Sequence, residues 1–183
     1  MGWIKQIKDS IGNYLLKGIA IKKKRSARIM PSYSSIQEIG IVYDAGTIKQ
    51  EEQVNLLAEL LRKEGKKVFT LGFIDTKKLP ENHRFNMSSG YYWRETLTKY
   101  NLPDKQKLSS FLNTEFDLLM NLFFEKELPL QAISALSKSK FSMGANINGA
   151  LPYNDFLIDT GTEKEITNLG MQMIHYLKVI QTK

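Results

Sequence analysis

Cysteine is absent from the 183 residues. That excludes disulfides, thiolate zinc sites, iron–sulfur ligation and cysteine nucleophiles, and it suits a reducing compartment. There are only two histidines. His83 sits in a polar stretch beside Arg84, and His175 sits among apolar neighbours near the C-terminus. Neither has convergent partners that would mark a metal site, so no metal is expected. No G-x-S-x-G elbow occurs, and the serines lack histidine and acid partners, which argues against serine hydrolysis. Neither G-x-x-x-x-G-K-[ST] nor G-x-G-x-x-G occurs, so no phosphate-binding glycine loop is present and no cofactor is expected.

Long apolar runs are also missing. None approaches the roughly 18 residues needed to span a bilayer. The stretch Gly18–Ile21 is followed by Lys22-Lys23-Lys24-Arg25, not by a small-residue cleavage site. The chain is therefore expected to begin its mature form near Met1, in the cytoplasm.

What the chain does have is a charge imbalance confined to one end. Residues 1–28 hold Lys5, Lys8, Lys17, Lys22, Lys23, Lys24, Arg25 and Arg28 against a single acid, Asp9. Eight against one leaves +7, the same as the whole chain's 26 basic residues less 19 acidic. The remainder is balanced. A charge packed into a short arm points to an anionic partner.

The arm is also periodic. Trp3, Ile4, Ile7, Ile11, Tyr14, Leu15 and Gly18 fall on one stripe of a helix running to about residue 28. Pro31 and the serines after it end it. Two anionic partners fit: a membrane surface, with the stripe in lipid, or RNA phosphates. The plainer alternative is that Trp3, Ile7, Ile11 and Leu15 pack on the body, on another protein or on a second copy.

Residues 36–183 read as one α/β domain behind an arm of residues 1–30. Glu38–Tyr43 is a short apolar strand ending in the turn Asp44-Ala45-Gly46. Thr47 and Gln50 form a capping box, Val54, Leu57, Leu60 and Leu61 give a helical face, and Lys67–Ile74 is the next strand. A strand–helix–strand unit implies parallel pairing through a right-handed crossover. Further strands are expected at 89–97, 116–124, 141–144 and 153–159, with helices from Pro103, over 128–138 and from a second capping box at Thr162–Glu165. This alternation predicts a three-layer, mainly parallel, doubly wound sheet of five or six strands.

Ligands of such sheets bind beyond the carboxyl ends of the strands. Asp44, Asp75 and Asp159 follow three of them, as carboxylates able to serve as acid and base. The competing role is structural, because aspartates at strand ends also start turns and cap helices. Tyr91-Tyr92-Trp93-Arg94 combines aromatics with a guanidinium, as a base-stacking surface would, but in a strand its members divide between two faces of a core.

The opening unit at 38–75, the FDLLMNL strand at 116–122, the segment Pro129–Phe141 and the closing Ile174–Ile180 resemble a family of small uncharacterised proteins of Bacteroidota. That resemblance implies a cytoplasmic bacterial protein and brings no activity. Residues 116–144 also resemble part of the N-terminal half of heptosyltransferase-type glycosyltransferases, which implies shared sheet architecture. The glycine-and-aspartate loop of those enzymes is not reproduced at Asp44-Ala45-Gly46, and no second domain to hold a nucleotide sugar is expected.

The reading favours a non-catalytic α/β binding or adaptor protein docked through its basic helix, peripheral at the inner membrane or on a ribonucleoprotein. The alternative is a small transferase or hydrolase with Asp44, Asp75 and Asp159 in one cleft.

Overall fold

The computed structural model describes residues 2–22, 28–81, 83, 87–150 and 153–180, without the side chains at 4, 5 and 20–22. Helix α1 covers Gly2–Lys22. Then come β1 (Glu38–Asp44), α2 (Ile48–Lys63) and β2 (Lys67–Ile74), followed by β3 (Ser89–Trp93) and the single turn α3 (Ser109–Leu112). The chain continues with β4 (Leu118–Leu122), α4 (Leu128–Leu136), β5 (Phe141–Ala145), β6 (Phe156–Ile158) and α5 (Ile166–Val179). The six strands form one sheet in the order β3-β2-β1-β4-β5-β6. Every neighbouring pair is parallel. The fold is thus the expected doubly wound α/β sheet.

Alternation along β1 explains the layers. Ile39, Ile41 and Tyr43 join the core shared with Val54, Leu57 and Leu61 of α2 and Leu169, Met173 and Leu177 of α5. Val42 points the other way, into a core with Leu119 of β4, Phe111 of α3, and Leu130 and Ile133 of α4. A strand buried on both faces has no polar side to show, so β1 and β4 read as continuous apolar runs.

Close approach explains two glycines. A Cβ on Gly40 would stand 2.8 Å from the Phe116 ring, and one on Gly72 would stand 2.9 Å from the Tyr43 ring. Tyr43 can lie across β2 only because position 72 has no side chain.

Several boundaries differ from the sequence reading. The helix expected from Pro103 is a single turn at 109–112. The second capping box does not form: α5 starts at Ile166, with Glu165 in the cap position and no side-chain cap bond. At the first, Thr47 does cap α2: its hydroxyl accepts from the Gln50 amide at 3.3 Å and donates to Gln50 Oε1 at 2.8 Å, in place of the bond from the Thr47 amide to the Gln50 side chain that a full box has. Ile166 is buried and Glu163, Lys164 and Glu165 are exposed, so docking of the apolar face sets where α5 begins.

Helix α1 forms a further layer, outside α4. Leu16 is fully buried against Leu128, Ala132 and Ala135. Gly12 faces the Tyr100 carbonyl, and a Cβ there would stand 2.7 Å from Leu128. Asn101 donates to Asp9 Oδ1 at 2.7 Å. The expected helix to residue 28 is seen to Lys22, and residues 23–27 lie outside the described residues.

Candidate functional site: the outward face of α1 and the cleft at the strand ends

Two of the three strand-end aspartates start turns, and the third pairs with an arginine. Asp44 accepts from the Gly46 amide at 2.9 Å. Asp75 holds Arg94 through two bonds of 2.6 and 2.8 Å. Asp159 accepts from the Gly161 amide at 3.0 Å, on the exposed edge of the sheet. Strands β1 and β6 are three places apart, about 14 Å at the usual strand spacing. Asp44 lines a cavity.

That cavity has a volume of about 540 Å³ and lies where the strand order reverses, between the carboxyl ends of β1 and β4. Phe123, Phe124, Leu130 and Ile166 give it an apolar floor. Asp44, Glu125, Glu163 and Glu165 bring four carboxylates, against Lys49 and Lys164. Lys164 pairs with Glu125 at 2.6 Å, and Gln53 donates to Glu165 at 3.2 Å. Among the described residues, no group of acids and histidines is arranged to hold a metal ion. In the core that holds Phe123 and Leu130 the Tyr92 ring is fully buried, and its hydroxyl has no hydrogen-bond partner among the described residues. Burial, then the charge of Asp44, holds that phenol well above its ordinary pKa.

Sequence reasoning found Asp44 but not Glu125, Glu163, Glu165 or Lys49. The usable signal was topological. Once β1 and β4 are neighbours, the residues that follow each of them share one edge.

A second cluster was also missed. His83 Nε2 lies 2.6 Å from Glu51 Oε1, and the Tyr91 hydroxyl donates to Glu51 Oε2 at 3.3 Å. Tyr91 is in turn bonded to Tyr43, whose phenol is raised above its ordinary pKa by burial first and by Tyr91 second. The chain Tyr43–Tyr91–Glu51–His83 ties β1, β3 and α2 to His83. The aromatic segment at 91–94 divides as expected, with Tyr91 in one core and Tyr92 in the other.

On α1 the packed face is not the apolar stripe. Trp3 is 65% exposed and Tyr14 79%, and Ile7, Ile11 and Leu15 are also exposed. At about 100° per residue, the mean direction of this stripe lies roughly opposite Gly12 and Leu16. Lys8 and Lys17, both exposed, fall on its two flanks. The stripe does not pack on the body, because the close approach to Tyr100 and Leu128 needs the glycine at 12.

Of the eight basic residues of the arm, Arg28 is engaged internally, 2.8 Å from Asp155. Among the described residues no carboxylate pairs with Lys8 or Lys17. The side chains of Lys5 and Lys22, and all of Lys23, Lys24 and Arg25, lie outside the described residues. No described helix is long and apolar enough to cross a membrane.

The model of a protein family of unknown function, DUF6913, matches residues 8–180. The match names neither a bacterial group nor a glycosyltransferase. No curated protein and no solved structure matches the chain.

Proposed function

The chain belongs to the DUF6913 family of unknown function, and from that premise we propose that it is a peripheral docking protein whose α1 lies on an anionic membrane surface. One observation carries the reading. The apolar stripe Trp3, Ile7, Ile11, Tyr14 and Leu15 faces away from the body, while Gly12 and Leu16 hold the helix to α4. A helix already anchored on one side and apolar on the other is oriented for an interface before it meets one. Lys8 and Lys17 flank the stripe, where their ammonium groups reach lipid headgroups while their stems cover apolar surface.

The same geometry argues against the other partners. A nucleic acid would meet Ile7 and Ile11 where it needs cations. A second copy paired through this stripe would bring the lysine-flanked faces together, and like charges facing each other oppose pairing. An anionic bilayer takes both the apolar and the cationic part, with about 1 kcal/mol per lysine near the surface. No catalytic role is assigned: Asp75 pairs with Arg94, and Asp159 follows β6, three places across the sheet from Asp44.

Flotation of the full chain with phosphatidylcholine vesicles, with and without phosphatidylglycerol, tests this. Binding is expected only with the anionic lipid and is expected to weaken with salt. Lys8→Glu with Lys17→Glu weakens it tenfold or more, from about 1 kcal/mol per lysine and the added repulsion. Ile7→Gln with Ile11→Gln removes it without lowering Tm, since neither residue is buried. In a Trp93→Phe background, Trp3 emission shifts to the blue on binding. Salt-sensitive binding to a single-stranded RNA with no vesicle binding, or a concentration-dependent dimer lost in the Ile7/Ile11 variant, overturns the membrane reading.

A further inference from the structure

The cleft between β1 and β4 is separate from α1, and its composition selects a ligand. Its floor is apolar, from Phe123, Phe124, Leu130 and Ile166. Its rim is acidic. With Glu125 engaged by Lys164, the charges left are Asp44, Glu163 and Glu165 against Lys49 alone. A nucleotide or another phosphate would place its charge among these carboxylates, and the backbone amides that a glycine-rich loop would supply are missing. An organic cation meets the opposite situation, with carboxylates for its nitrogen and aromatic rings for its body.

We propose that this cleft binds a small organic amine, with the ammonium at Asp44 and Glu163 and an apolar body over Phe123 and Phe124. The volume of about 540 Å³ lies within the range of small-molecule sites, and the position at the strand-order reversal is where doubly wound sheets place ligands. The fully buried Tyr92 belongs to the core that also holds Phe123 and Leu130, so the apolar floor of the cleft is backed by a packed core.

Three probes with one body separate charge from shape: phenethylamine, 2-phenylethanol and phenylacetate. Adenosine monophosphate serves as the phosphate probe. Each is titrated into the full ¹⁵N-labelled chain while amide shifts are followed. Phenethylamine is expected to move the amides of residues 44–50 and 163–166 with millimolar affinity or better. The neutral alcohol binds more weakly and phenylacetate does not bind. Asp44→Asn keeps an acceptor for the Gly46 amide, so the turn survives, yet phenethylamine affinity falls by about tenfold. Glu163→Gln, at an exposed position, repeats the loss without risk to folding. Tighter binding of phenylacetate or adenosine monophosphate at these residues overturns the proposal. So does a lack of shifts from phenethylamine up to about 10 mM, or unchanged affinity in both variants.

Discussion

Asp117 shows how one side chain fastens two strands. Its Oδ2 accepts from the Gln37 and Glu38 amides at 2.8 and 3.0 Å, and its Oδ1 accepts from Lys140 at 2.8 Å. Burial alone would raise its pKa, but the Lys140 ammonium and the two amides outweigh burial and hold the carboxyl below its ordinary value. A lowered folded-state pKa means the contribution is present above the ordinary carboxylate range, near pH 4, and fades as pH falls through the lower folded value. Asp117→Asn is therefore expected to cost about 1–3 kcal/mol at neutral pH and to flatten the acid limb of the stability curve below about pH 4. Urea melts at several pH values check both. At Gly72, alanine would collide with the Tyr43 ring and Ala45, at 2.9 and 2.8 Å. The expected loss is about 1–3 kcal/mol by thermal melting. Gly90→Ala is the control, because its Cβ would meet only Leu71 at an ordinary 3.5 Å.

At the scale of the element, α1 is the informative case. It rests on α4 through Leu16 and the notch at Gly12. Neither main core includes an α1 residue. Gly12→Val should therefore lift α1 from α4 without unfolding the sheet. Hydrogen exchange should rise through residues 6–19 while β1 and β4 stay protected. Loss of protection across the sheet would mean that α1 belongs to the cooperative core. The two capping boxes make the complementary point. Thr47 caps because Val54 and Leu57 follow at helical spacing with no interruption. Thr162 does not, because the first buried residue after it, Ile166, is where α5 meets the body. Local spelling was the same at both sites, and tertiary docking chose between them.

At the scale of the molecule, two surfaces are separated by the sheet's construction. Helix α1 lies outside α4 on one side, while the cleft opens at the carboxyl edge beside the starts of α2 and α5. The two proposals can thus fail independently. Deleting residues 1–27 removes seven of the arm's eight basic residues, leaving Arg28 with its partner Asp155. The truncated chain is expected to stay folded by circular dichroism, lose vesicle binding and keep its phenethylamine-induced shifts. Loss of the folded spectrum would place α1 in the core of the fold.

The order of strands and helices was readable from periodicity, because strands buried on both faces must be continuously apolar and the helices over them must carry one apolar face. The arm's charge and its stripe were equally plain, since both depend only on spacing along the chain. Which way the stripe faces was not. It was decided by contact with Tyr100 and Leu128, residues about a hundred positions away, which admit a glycine and a leucine and leave the aromatic face outside. The cleft was hidden for the same reason. Asp44, Glu125 and Glu163 become neighbours only when β4 pairs with β1 and α5 returns over the sheet, and no local pattern encodes that meeting.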